Sequence, residues 1–172
     1  MADVAEGLIP PSALDQKGNT TIWWVPTIAD PTAPKVTEVG AGTRVTYSFT
    51  PAGFNFGGAQ GTTKDERLGL IQALESLDTN EVTLDLEYVE STDAKSANVV
   101  LAPTPPATTI AGNFVIRTST PNATLAAAAQ KVRVVQVVLG AQNLGTVNNA
   151  GKFLIKQKAA IAAVVGPPVA LV

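Results

Sequence analysis

Glu81-Val82-Thr83-Leu84-Asp85-Leu86-Glu87-Tyr88-Val89 alternates polar and apolar residues along almost its whole length. On an extended chain Val82, Leu84, Leu86 and Tyr88 take one face, and Glu81, Thr83, Asp85 and Glu87 take the other. That is a half-buried strand, and it points the whole chain toward a β fold. Asp78-Thr79-Asn80 just before it reads as a turn. Residues 64–77 carry two signals. Thr63-Lys64-Asp65-Glu66 matches a capping box, and Leu68, Ile71, Leu74 and Leu77 recur every third residue, which favours a helix. A hairpin through the turn would instead make residues 67–77 a partner strand.

Further strands lie on both sides. Val45, Tyr47 and Phe49 alternate with Arg44, Thr46 and Ser48, a second half-buried pattern. Residues 20–27, with Ile22, Trp23, Trp24 and Val25, form another candidate, as do residues 112–118 and the valine-rich 131–139, which Gly140 ends. Residues 152–165 supply one long strand or two short ones. Thr120-Pro121 gives an N-cap with proline at the first helical position, and Leu125 with Ala126 to Ala129 supplies a short helix. Proline and glycine mark loops at residues 30–42, 51–63 and 102–110. The glycine-rich 51–63 stretch carries Phe54 and Phe56, and a loop of that length waits for a partner or a function. About eight short strands and one small helix specify a mainly β fold, a β-sandwich or barrel. At 172 residues a single domain is expected, with an extended arm at 1–19 and an apolar tail at 166–172.

Composition removes several function classes. The chain has no Cys and no His, so disulfides, thiolate metal sites and an imidazole base near neutral pH are absent together. No signal-peptide pattern opens the chain, and the longest apolar run, residues 159–165, is far short of the ~20 residues that span a bilayer. A soluble protein made in a cytosol is expected, with no cofactor and no membrane partner. Gly140 to Thr146 and Gly57 to Lys64 resemble phosphate loops only in glycine spacing, since the lysine is missing or misplaced.

Charge is unevenly placed. Residues 1–61 hold five acids and three bases, 62–95 nine acids and three bases, and 96–172 six bases and no acid. Unlike-charged surfaces on one molecule favour head-to-tail association into rings or filaments. The acidic row of Glu81, Asp85 and Glu87 reads first as a solvated face, then as the lining of a pore or partner surface. Catalysis by the pair comes last. The basic set Lys131, Arg133, Lys152, Lys156 and Lys158 lacks the interleaved aromatics of a nucleic-acid reader, and reads equally as an ordinary solvated surface or as a contact to an acidic neighbour. Adjacent tryptophans on a strand face opposite ways, so one of Trp23 and Trp24 should meet a second subunit or a loop.

In order along the chain come a short arm, Thr21-Ile22-Trp23-Trp24-Val25-Pro26, Ile28-Ala29-Asp30-Pro31-Thr32-Ala33-Pro34, and Ala41-Gly42-Thr43 leading into a strand. Lys64-Asp65-Glu66-Arg67-Leu68, the strand from Val82 to Val89, Phe114-Val115-Ile116-Arg117 and the valine strand to Gly140 follow, with Val169-Ala170-Leu171-Val172 at the end. This series resembles the major tail tube proteins of long-tailed phages, particularly those infecting actinobacteria. The helix-like spacing at 70–77 departs from the family pattern. The resemblance implies a non-enzymatic virion protein of the tail, assembled in the host cytoplasm as hexameric rings that stack into a tube. It implies a tape-measure protein in the lumen, tail-tip and tail-terminator proteins at the ends, and double-stranded DNA passing without specific binding. An acidic wall lets DNA slide, whereas several lysine–phosphate contacts would hold it. Asp85 and Glu87, with Glu75 and Glu81, are therefore expected to face the lumen. Residues 50–67 are expected to be the loop between rings, and residues 67–77 a strand, because an inner barrel needs hairpins. Trp23, Phe54, Phe56, Asp65, Glu66, Arg67, Arg133, Lys156 and Lys158 are the expected contacts between subunits or rings. Other self-assembling sandwiches (capsid-decorating or pilus-like), or a carbohydrate- or nucleic-acid-binding module using Trp23-Trp24 and the basic C-terminal half, are the alternatives.

Overall fold

The computed structural model describes residues 15–65, 67, 71–147 and 151–172. In chain order the elements are β1 (Thr21–Val25), α1 (Val36–Ala41), β2 (Thr43–Arg44), a 3-10 turn (Thr46–Ser48), β3 (Phe49–Asp65) and β4 (Leu74–Val89). Then follow α2 (Ala97–Val100), β5 (Ile110–Arg117), β6 (Lys131–Leu144), β7 (Leu154–Ile161) and β8 (Val169–Ala170). The fold is mainly β, as the alternation at 81–89 implies. All strand pairs are antiparallel. They form one sheet in the order β2-β1-β5-β6-β7-β4-β3, with β8 beside β6.

The sheet curls over its own concave face. Phe54 on β3 meets Phe114 on β5 edge-on at 5.3 Å, although three strands separate them along the sheet. Trp24 packs on the same Phe114 ring at 5.0 Å. Ile22, Leu84, Leu86, Tyr88, Val135, Val137 and Leu139 complete this interior. A Cβ on Gly112 would run into the Trp24 ring, so only glycine lets that indole lie flat across β5. On the convex face Trp23, Val25 and Val115 are covered by Ile28, Val39 of α1 and Leu171.

Both tryptophans are therefore 2% exposed. Trp23 has almost no surface left to offer a second subunit, because the loops, α1 and the C-terminus of its own chain bury it. The 166–172 tail is likewise a docked element. Val36 N–H donates to Val172 O at 2.8 Å, Val172 N–H donates to Pro34 O at 3.0 Å, and Leu171 is buried.

Four expectations about local structure do not hold. Residues 44–49 do not form one strand: β2 ends at Arg44, β3 begins at Phe49, and Tyr47 between them is 86% exposed on a 3-10 turn that carries the chain from one sheet edge to the other. The turn residues 78–80 lie inside β4, whose partner is β3, so residues 74–77 are strand but pair with residues 62–65. Residues 50–65 are strand, not loop. Residues 121–130 are turns without a helix, and the two short helices sit at 36–41 and 97–100 instead.

The 118–130 segment is held by Arg117, which is 0% exposed. Its guanidinium donates to the carbonyls of Pro121, Thr124 and Leu125, to Gln130 Oε1 and to Thr21 Oγ1, at 2.8–3.2 Å. It also lies 5.1 Å over the Trp23 ring, which Arg44 approaches at 5.3 Å. The planar fork suits this multi-acceptor cradle, and the ring supplies negative π-density in place of a carboxylate.

On the concave side Tyr88 Oη donates to Gln157 Oε1 at 2.9 Å, and Gln142 Nε2 donates to Tyr88 Oη at 2.9 Å. Gln157 Nε2 donates to Leu101 O and Gly140 O, tying α2 to the irregular stretch of β6. Burial raises the Tyr88 pKa from 10.0 to about 12. Above pH 10 the unfolded phenol ionises while the folded one stays neutral, so the unfolded state binds fewer protons and stability falls as pH rises. A shift of about 2 units corresponds to roughly 2–3 kcal/mol lost between pH 10 and 12. Urea midpoints should fall over that window in the intact chain. In Tyr88→Phe they should start lower, through the lost hydrogen bonds, but fall less steeply.

Candidate assembly surface

β3 and β4 form a hairpin that outgrows its sheet. They pair from Phe49↔Tyr88 to Asp65↔Leu74, whereas β4 contacts β7 only from Asp85↔Lys158 to Val89↔Leu154. Beyond that, among the described residues, 57–65 and 74–83 have only one another as strand partners. An isolated two-stranded ribbon is marginal in water. This one also exposes apolar side chains: Ile71 is fully exposed, Leu74 is 55% and Leu77 77% exposed. β3 is the last strand of the sheet, so its outer N–H and C=O groups form an open edge.

The glycines explain why this stretch is strand after all. Phe54 and Phe56 alternate inward opposite Leu86 and Leu84. Gly53 sits at a register shift, where a Cβ would collide with the Glu87 carbonyl. Glycine therefore admits a bulge here, and the strand continues through it.

The outward face of β3, β4 and β7 carries the acidic row. Asn55, Asp85 and Lys158 stand in one cross-strand rank, and Glu87, Lys156 and Asn143 in the next, which extends to β6. Glu87 Oε2 lies 3.3 Å from Lys156 Nζ. Further out, Thr83 faces Gly57 and Glu81 faces Ala59. Among the described residues no element covers this face. Asp85, Glu87, Lys156 and Lys158 line a shallow depression of about 460 Å³ on it.

The expected contact residues thus separate into distinct places. Asp85, Glu87 and Glu81 share the uncovered face, while Glu75 is on the distal ribbon and pairs with Lys64 at 3.7 Å. Asp65 and Arg67 pair with each other at 3.0 Å near the hairpin end, and Glu66 lies outside the described residues. Phe54 and Phe56 are partly buried on the concave side, with the Arg133 guanidinium 5.7 Å over the Phe56 ring. Lys156 and Lys158 lie beside the acids, not with Arg133. Acidic and basic segments are therefore not held on opposed sides here; they interleave along the β4–β7 seam, because antiparallel pairing brings residues 85–87 against 156–158. Sequence reading missed the ribbon and the Arg117 cradle. The visible signals were the Phe54-Asn55-Phe56 alternation and a lone arginine closing the apolar run Phe114-Val115-Ile116.

Among the described residues no group of three or more His, Cys, Asp or Glu could hold a metal ion, and no helix is long and apolar enough to cross a membrane. No curated protein matches the chain. A family model described as phage tail tube protein matches residues 9–172.

Proposed function

Since this chain belongs to the phage tail tube protein family, a family of structural proteins of the virion tail, we propose that it forms hexameric rings which stack into a tube conducting DNA. Its membership implies a non-enzymatic role and self-assembly into a tube. The observation that carries the finer reading is the β3–β4 ribbon, which leaves its own sheet with exposed leucines and, among the described residues, with an open edge and no packing partner. Lateral pairing of such edges around a ring removes an aggregation hazard and builds a continuous inner wall.

In this reading the uncovered face of β3, β4 and β7 lines the lumen, with Asp85, Glu87 and Glu81 turned toward passing DNA, while Glu75, which pairs with Lys64 beyond the register shift between Gln60 and Thr62, lies outside that wall. Lys156 and Lys158 belong to the same wall. Each stands opposite a carboxylate, so its charge is balanced locally and phosphate finds no unopposed cation. A tape-measure protein would fill the lumen during assembly in the host cytoplasm, and tail-tip and tail-terminator proteins would cap the ends. Asp65 and Arg67 at the hairpin end, with Glu66 between them in sequence, are the contacts proposed between successive rings.

Reversing both acids tests the lumen assignment. Asp85→Lys with Glu87→Lys would leave four lysines in adjoining ranks on every subunit. Tubes should form normally, retain DNA in a salt-dependent manner, and deliver the genome poorly. Wild-type infectivity of phage carrying both changes would remove this face from the lumen.

A further inference from the structure

A groove of about 850 Å³ opens at one end of the concave face. Its floor is apolar, built from Ile22, Phe49, Phe54 and Phe56. Its rim carries Lys17, Lys131 and Arg133, and among the described residues no acidic side chain lines it. Arg133 Nε is buried there without a hydrogen-bond partner among the described residues. An occupant must therefore bring apolar side chains for the floor and acceptors or negative charge for the rim.

The distal ribbon has that chemistry. It offers Ile71, Leu74 and Leu77 to solvent, and residues 64–81 hold five acids against two bases. A chain cannot fill its own groove this way. Phe56 on the floor is nine strand positions from the last residue of β3, Asp65, a separation of about 30 Å along a rigid strand. We infer that the groove receives the β3–β4 ribbon tip of a second copy of this chain. The contact is heterologous, hairpin into groove, so each copy keeps one free tip and one free groove and the series propagates. The inference rests on the tube reading above and adds to it the receptor for the ribbon.

Because the chain lacks cysteine, engineered thiols report the contact directly. Leu77→Cys places one on the ribbon and Thr118→Cys one on the groove rim; both sites are exposed. Mixed, assembled into tubes and oxidised, the two variants should give a covalent dimer. Leu77→Cys with Val164→Cys, exposed elsewhere, should not. Lys17→Glu with Lys131→Glu should slow elongation roughly tenfold, and adding Glu75→Lys with Asp78→Lys should restore it. Tubes that form without the dimer, or in which Ile9→Cys rather than Leu77→Cys joins Thr118→Cys, would overturn the inference and leave the tube reading standing. A protein that forms no tubes under any condition overturns both.

Discussion

A chain in which residues 59–81 are replaced by an Asn-Gly turn should fold like the intact protein and form no tubes. Gly58 and Val82 stand directly opposite each other, so a two-residue type I′ turn can join them without shifting the register. No described residue in the removed stretch belongs to either core cluster. Stability should change by about 1 kcal/mol or less, a melting shift within about 4 °C for a domain of this size. Assembly should be abolished, since the ribbon is both the open edge and the proposed plug. Thermal melts and sedimentation of the two chains check both halves. Tubes of normal length from the shortened chain would show that the ribbon is dispensable for assembly.

Arg117→Leu should lower stability by about 3–5 kcal/mol, since several buried acceptors lose their donor at about 1–3 kcal/mol each, and the melting temperature by on the order of 10 °C. The removed guanidinium serves five acceptors. Without it the carbonyls of Pro121, Thr124 and Leu125 lose their donors, and the 118–130 segment loses its anchor. Burial, and then the nearby charge of Arg44, pull the Arg117 pKa below its usual value. The cation is nonetheless kept, held by neutral acceptors and the Trp23 ring rather than by a carboxylate. Arg117→Lys should recover little, because a single ammonium cannot reach the same set of acceptors. Full recovery by lysine in a thermal melt would mean that charge alone, without the fork, holds the loop.

What could be read from the sequence, and what could not, divides along the range of the forces involved. Strands 81–89, 112–118 and 131–139 were visible because their periodicity is set by the sheet they lie in, residue by residue. Residues 50–65 were not, because their glycines signal loop locally, and the closeness of Gly53 to the Glu87 carbonyl exists only once β4 is in place. The helix expected at 120–129 had correct local start signals. Arg117 takes the carbonyls of Pro121, Thr124 and Leu125, which helical hydrogen bonds would have used. The lumen candidates Asp85 and Glu87 were legible as a face. That Lys156 and Lys158 share it follows from a register joining residues about 70 positions apart, and no local pattern encodes that. Trp23 was assigned to a contact between subunits because adjacent tryptophans on a strand face opposite ways and cannot both enter one core. The last residues of the chain and α1 cover it.

The most direct measurement is a cryo-electron microscopy reconstruction of the purified protein after assembly. The expected density is a hollow tube of stacked six-fold rings, its inner wall built from β3, β4 and β7 with Asp85, Glu87, Lys156 and Lys158 facing the bore. A protein that stays a solitary molecule, or a tube whose bore is lined by any other face, would contradict it.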